Sequence, residues 1–179
     1  LSTMSRPDVA VSVVIPMFNE EAVLPILVER LRPLADGWGR PYEIVAVDDG
    51  SSDATAVLLQ RFRREWPELR VLRLRANAGH QAAISAGLDH ARGAYVVTLD
   101  ADLQDPPEVI AQMLAVADRD QVDVVYGIRE DRSSDSWFKR TSAHLFYRGI
   151  TALSETSAPP HAGDFRLMSR ATVDAVRAL

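Results

Sequence analysis

Asp100-Ala101-Asp102-Leu103-Gln104 sets three oxygen-bearing side chains at alternate positions just after an apolar run at residues 95–99. In an extended segment successive side chains point to opposite sides, so Asp100, Asp102 and Gln104 are expected to share one face. Carboxylate, amide and phosphate oxygens are what hard cations take, so the trio suits a Mg²⁺ or Mn²⁺ bridging the protein and a diphosphate. An Asp-X-Asp by itself recurs by chance. Its place at the end of a buried strand, with a glutamine in step, is what gives it weight. The following Asp105-Pro106-Pro107-Glu108 reads as the start of a helix, with Asp105 as N-cap, proline in the first turn and Glu108 at the third position.

Three other segments carry candidate chemistry. In Pro16-Met17-Phe18-Asn19-Glu20 the proline ends strand pairing. Asn19 or Glu20 there serves either to cap the next helix or, with Phe18, to meet a base and a ribose. Asp48-Asp49-Gly50-Ser51-Ser52-Asp53 puts two carboxylates side by side before a turn glycine and the capping types Ser52 and Asp53. Adjacent acids repel and need hydrogen-bond donors or a cation, and nucleotide ring N–H groups or ribose hydroxyls are such donors. In Asn77-Ala78-Gly79-His80-Gln81 the glycine either lets backbone approach a ligand or caps the turn, and His80 is read as structural.

Positioning these groups falls to short apolar runs at residues 9–15, 44–47, 71–74 and 95–99, rich in β-branched residues and without strict alternation. That pattern predicts strands buried on both faces. Helical spacing lies between them: Val23, Leu24, Leu27, Val28 and Leu31; Val57, Leu58, Phe62 and Trp66; residues 82–91; and Val109, Ile110, Met113 and Leu114. A fifth strand is expected at 122–126. Alternating strand and helix predict a doubly wound, mainly parallel α/β sheet, whose ligands bind beyond the carboxyl ends of the strands. No internal repeat or Gly/Ser-rich linker divides the 179 residues, so 1–179 reads as a single catalytic domain.

Composition narrows the classes. Lys and Arg number 20 against 25 Asp and Glu, a net charge of −5 that disfavours a nucleic-acid binder. The lack of cysteine excludes disulfides, thiolate metal sites and a cysteine nucleophile. No apolar run reaches membrane-spanning length, so these residues are expected to be soluble. Ala171, Val173, Val176 and Leu179 form a helical pattern at the end, which is expected to continue into a longer protein. Residues 135–153 predict an amphipathic helix, with Phe138, Leu145, Phe146, Ile150 and Leu153 on one face and Arg140, His144 and Arg148 on another. It either packs on the core or lies on anionic lipid. No Gly-x-Gly-x-x-Gly follows a strand, which excludes a Rossmann dehydrogenase, and no Gly-rich basic loop follows the first strand, as a nucleotidyltransferase would require.

Taken in order, Val-Ile-Pro-Met-Phe-Asn-Glu20, Val-Asp-Asp-Gly-Ser-Ser-Asp53, Asn-Ala-Gly-His-Gln81 and Leu-Asp-Ala-Asp-Leu-Gln-Asp-Pro-Pro-Glu108 resemble the motif set of family 2 glycosyltransferases. The likeness is nearest to the branch of dolichyl-phosphate mannose synthases and bacterial polyprenyl-phosphate glucosyltransferases. It continues through Trp137-Phe-Lys-Arg140 and Ala162-Gly-Asp-Phe-Arg-Leu-Met-Ser-Arg170. It implies a GT-A fold and the inverting, metal-dependent transfer of a hexose from a nucleoside-diphosphate sugar, of UDP-glucose or GDP-mannose type, to a polyprenyl phosphate. Pro16, Phe18 and Glu20 would touch the nucleoside, although the family more often has tyrosine where Phe18 stands. Asp49, with Val47 beside it, would face the base or ribose, and Ala101 would lie against the nucleotide.

The resemblance further implies that Asp100, Asp102 and Gln104 surround metal and diphosphate. Arg129 would contact phosphate, Arg132, Lys139 and Arg140 would form a basic set near the acceptor, and Asp164 and Arg166 would fall in the acceptor-side motif. An acid there is a candidate base. A phosphate monoester, with a second pKa near 6, is already mostly a dianion at neutral pH, so Asp164 is read as positioning rather than as a strong base. Branch members often carry membrane helices after this domain, which implies anchoring with the domain at the cytoplasmic inner face of the membrane. Homo-oligomer formation is left open. The alternatives are an inactive nucleotide-sugar-binding homologue and a transferase with a saccharide acceptor.

Overall fold

The computed structural model describes residues 9–128, 146–149 and 162–179. Its strands are β1 (Val11–Met17), β2 (Tyr42–Asp48), β3 (Leu69–Arg73), β4 (Tyr95–Thr98), β5 (Val124–Ile128), β6 (Phe146–Gly149) and β7 (Ala162–Ser169). Its helices are α1 (Leu24–Asp36), α2 (Thr55–Glu65), α3 (His80–His90), α4 (Ile110–Asp120) and α5 (Arg170–Arg177). The strands make one sheet in the order β3-β2-β1-β4-β7-β5-β6. From β3 to β4 all pairings are parallel, and those of β7 with β4 and β5, and of β6 with β5, are antiparallel. The α/β sheet expected from the sequence is therefore present, with a mixed half after β4.

All seven residues of β1 are buried, which explains why its sequence does not alternate. Val13 and Ile15 face a core made with Leu24, Leu27 and Leu31 of α1, Leu59 of α2 and Met113 of α4. Val14, Val45, Val47 and Val96 face the other layer, with Ala83, Ile84 and Leu88 of α3 and Val173 of α5. The second layer is very close: a Cβ on Gly87 of α3 would stand 2.2 Å from Val14 Cγ1 and 3.2 Å from Val47 Cγ2. Gly87→Ala is expected to lower unfolding free energy by about 2 kcal/mol in urea titration, overpacking outweighing alanine's better helix propensity. A neutral or stabilising result would mean that α3 can slide away from the sheet.

Two local expectations are corrected. Phe146–Gly149 belong to strand β6, paired with β5 from Phe146 opposite Ile128, and not to a helix across 135–153. The edge of β5 offers backbone groups that need partners, and pairing there overrides the helical spacing; the rest of that segment lies outside the described residues. Asp105 is buried, the N-cap position falls on Pro106 before a 3-10 turn at Pro107–Val109, and α4 begins at Ile110. Glu108 instead reaches α1, accepting from Arg30 Nε at 2.5 Å and Nη2 at 2.8 Å.

Candidate active site

Parallel pairing sets the ends of β1, β2 and β4 side by side, with Met17 opposite Asp48 and Val14 opposite Thr98. Beyond these ends lies a cleft of about 400 Å³. It gathers Pro16 near the end of β1, Phe18 and Glu20 after β1, Asp49 after β2, Asp100, Ala101 and Asp102 after β4, and Gly79 and His80 at the start of α3. Pairing runs on through Pro16 opposite Val47 to Met17 opposite Asp48, so the proline does not end it as expected. Phe18 is 45% exposed at its rim.

The loops are stitched to one another rather than to their own helices. The first residue of α1 is preceded by Val23, which makes no side-chain cap, so neither Asn19 nor Glu20 caps that helix. Asn19, in the left-handed region at φ 53, instead turns its Oδ1 to the N–H groups of Ser52 and Asp53, at 2.9 and 3.3 Å. In return Ser51 Oγ accepts from Asn19 N and Thr55 Oγ1 accepts from Glu20 N. An amide side chain can satisfy several orphan N–H groups at once, which is why the cross-loop arrangement prevails.

The adjacent acids find donors within the chain. Asp49, 3% exposed, accepts from the backbone N–H groups of Ala78 at 2.7 Å and Gly79 at 3.0 Å. Asp48 accepts from Ser51 N at 3.0 Å and faces Arg73 Nε at 3.4 Å. Gly50 adopts φ +70, and a Cβ there would lie 2.7 Å from the backbone of Ala76 and Asn77, so only glycine lets these loops meet. Val47, fully buried under α3, does not line the cleft, which corrects its expected contact with a base or ribose.

The segment 100–104 is also not extended. Strand β4 stops at Thr98, Leu103 takes φ 60, and Asp102 Oδ1 accepts the N–H of Gln104 at 3.0 Å. This turn, of the kind short acidic side chains favour, keeps Asp100 and Asp102 at the cleft but leaves Gln104 off its lining. The three-in-step geometry is thereby corrected.

A different partner closes the group. β7 pairs with β4 from Tyr95 opposite Ser169 to Thr98 opposite Arg166, and continuing that register carries Asp164 alongside Asp100. Thr98 Oγ1 donates to the backbone carbonyl of Asp164. Between the two acids stands His80, its Nε2 2.8 Å from Asp164 Oδ2 and 3.6 Å from Asp100 Oδ1. The ligand atoms of all three lie within 4.8 Å of one another. Sequence reasoning left His80 as structural; only its position directly after Gly79, at a helix start facing the strand ends, could have drawn attention to it. Arg166 is half-buried with its Nε sealed from solvent and unbonded among the described residues, and it does not line the cleft. Arg129, Arg132, Lys139 and Arg140 lie outside the described residues.

Charge in the cleft is unbalanced. Burial pushes the Asp100 carboxyl above its usual range; His80 opposes the rise, and Asp102, Asp164 and Asp105 add to it. Burial likewise raises Glu20, helped by Asp102, Asp53 and Asp100. Carboxylates in mutual repulsion are a donor set that fits a divalent cation.

A family model described as glycosyl transferase family 2 matches residues 12–177. Among curated proteins, the chain is 38% identical over 176 residues to the "uncharacterized glycosyltransferase YkcC" of Bacillus subtilis, covering 98% of this chain and 54% of that protein. It is 40% identical over 171 residues to the "uncharacterized glycosyltransferase sll0501" of Synechocystis, covering 96% and 54%. The chain thus spans about half the length of the curated relatives it matches. Among solved structures, the mannosyltransferase PcManGT of Pyrobaculum calidifontis, in complex with GDP-Man and Mn²⁺, aligns with a TM-score of 0.56 and 27% identity, over 73% of this chain and 38% of that one.

Proposed function

The chain belongs to glycosyl transferase family 2, and on that premise we propose that its cleft binds a nucleoside-diphosphate sugar with a divalent cation and passes the hexose, with inversion, to a polyprenyl phosphate. One observation carries the donor half: an aromatic and a cluster of mutually repelling carboxylates converge beyond the carboxyl ends of β1, β2 and β4. The related mannosyltransferase solved with GDP-Man and Mn²⁺ supports the same reading. Phe18 and Pro16 offer an apolar surface to the base, Glu20 reaches the ribose, and Ala101, with no side chain beyond Cβ, lets the nucleotide come close. Asp49 holds the loop that forms the opposite wall.

Asp100 and Asp102 would hold a Mg²⁺ or Mn²⁺, and that ion would offset charge growing on the departing diphosphate. The acceptor half rests on the resemblance of residues 162–170 and the basic residues before them to the polyprenyl-phosphate branch. In this reading Asp164 orients, and Arg166 with Arg129 and the neighbouring basic residues holds two phosphorylated substrates against their repulsion. Among the described residues no helix is long and apolar enough to cross a membrane. Anchoring at the cytoplasmic face would fall to segments other than these.

Thermal unfolding with UDP, GDP, CDP and ADP, each with and without Mn²⁺ or Mg²⁺, tests the donor site. One diphosphate is expected to raise Tm by roughly 5 to 10 °C at 100 times its Kd, only when metal is present. No shift with any pair, in a folded sample, sinks the reading. Transfer of labelled hexose to a saccharide but not to a polyprenyl phosphate would refute the acceptor assignment alone.

A further inference from the structure

We propose that His80 is a positioning residue that spans the donor and acceptor halves of the site, its Nε2–H holding Asp164 in place beside Asp100. The inference rests on the transfer reading above, and extends it to a residue that the expected ligand set does not include.

The geometry is specific. A carboxylate oxygen only accepts, so at 2.8 Å from Asp164 Oδ2 the imidazole Nε2 is the donor. Asp100 Oδ1 lies 3.6 Å from the same nitrogen, so one N–H stands between two acids on different strands, β4 and β7. Without it, the two carboxylates would face each other across the point where donor and acceptor must meet. Both are about one-third exposed, so bulk water screens them only in part.

The mount for this side chain is built at a cost. Gly79, directly before His80, adopts φ 96 and ψ 161, a conformation essentially confined to glycine. Its N–H, with that of Ala78, is fixed by the buried carboxylate of Asp49. Gly50 in turn lets the loop after β2 pack directly on Ala76 and Asn77. Two glycine-only conformations and a buried acid thus combine to hold one imidazole at the start of α3. A histidine that merely completed the surface of the helix would need none of them, and His80 is 44% exposed, so it does not fill the core.

His80→Ala is expected to lower kcat about 100-fold, the scale of a misplacement of roughly 1 Å, while the donor KM changes little. His80→Gln, whose amide can place an N–H near the position of Nε2, is expected to recover most of the loss, and the shorter His80→Asn is not. Independently of turnover, ¹⁵N–¹H spectra should show an imidazole Nε2–H signal protected in the wild type and lost or displaced in Asp164→Ala. The proposal is overturned by an unchanged signal in Asp164→Ala, by His80→Gln as slow as His80→Ala, or by loss of donor affinity in step with kcat. If the wild type transfers no sugar, the functional reading fails while the spectra still decide whether His80 holds Asp164.

Discussion

Asp100→Asn is expected to lower turnover about 1000-fold, at the upper end of what removing one charge-stabilising group costs. The substitution keeps shape and hydrogen-bonding atoms but takes away the charge that a cation at the cleft would need. Asp100 stands 3.6 Å from His80 and interacts electrostatically with Asp102, Asp164 and Glu20. Metal-dependent stabilisation by the nucleotide should disappear with it. The apo protein should behave in the opposite way. The Asp100 carboxyl is raised above its usual value of 3.8, so the charged form is disfavoured by folding and costs stability at neutral pH. Asp100→Asn should therefore melt no lower than the wild type. A variant that kept wild-type kcat would end the metal-site assignment, and one that melted well below wild type would show Asp100 to be a structural residue.

Glu43→Ala is expected to destabilise the fold by about 3 kcal/mol, the scale for losing one member of a buried charged group. Glu43 is 2% exposed at the amino ends of the strands, opposite the cleft. It accepts from Ser12 Oγ at 2.7 Å, the backbone N–H of Arg92 at 2.7 Å and Arg70 Nη1 at 2.8 Å. Burial alone would raise its pKa, but the hydrogen bonds from Arg92, Ser12 and Arg70 outweigh burial and hold it below the usual 4.5. A depressed folded-state pKa means that the contribution is complete above the unfolded value and fades as pH falls through the folded one. Wild-type unfolding free energy should therefore lose this contribution as pH falls below the unfolded value and through the lower folded one, and the variant should lack that component of the slope. Parallel pH profiles for the two proteins would show that Glu43 carries none of the acid sensitivity.

The parallel half of the fold was legible because each buried strand writes itself as a β-branched run and each helix as an apolar stripe. Of the mixed half only β5 was, because β7 takes its place between β4 and β5 through pairings far apart in sequence, and no local period encodes that. At the site, residues directly following strands were readable, and Pro16, Phe18, Glu20, Asp49, Asp100, Ala101 and Asp102 all reach one cleft. Val47 and Gln104 do not line it: one is turned inward by strand alternation, and the chain turns at Leu103 just before the other. His80 was undervalued because its partner Asp164 is 84 residues away. Asn19 shows that a residue type suited to capping is spent wherever unpaired N–H groups lie nearest.

The order of the strands also has a bearing on synthesis. β5 is translated before β7, yet β7 lies between β4 and β5. As the chain leaves the ribosome, the outer edge of β4 and the facing edge of β5 both wait for Ala162–Ser169. Until then two strand edges are open to the wrong partners, including each other and neighbouring nascent chains. The strand that completes the cleft is thus also the one that ends the aggregation-prone stage of the nascent chain, so a ribosome stalled before Ser169 would leave behind a fragment for chaperones rather than a partial enzyme.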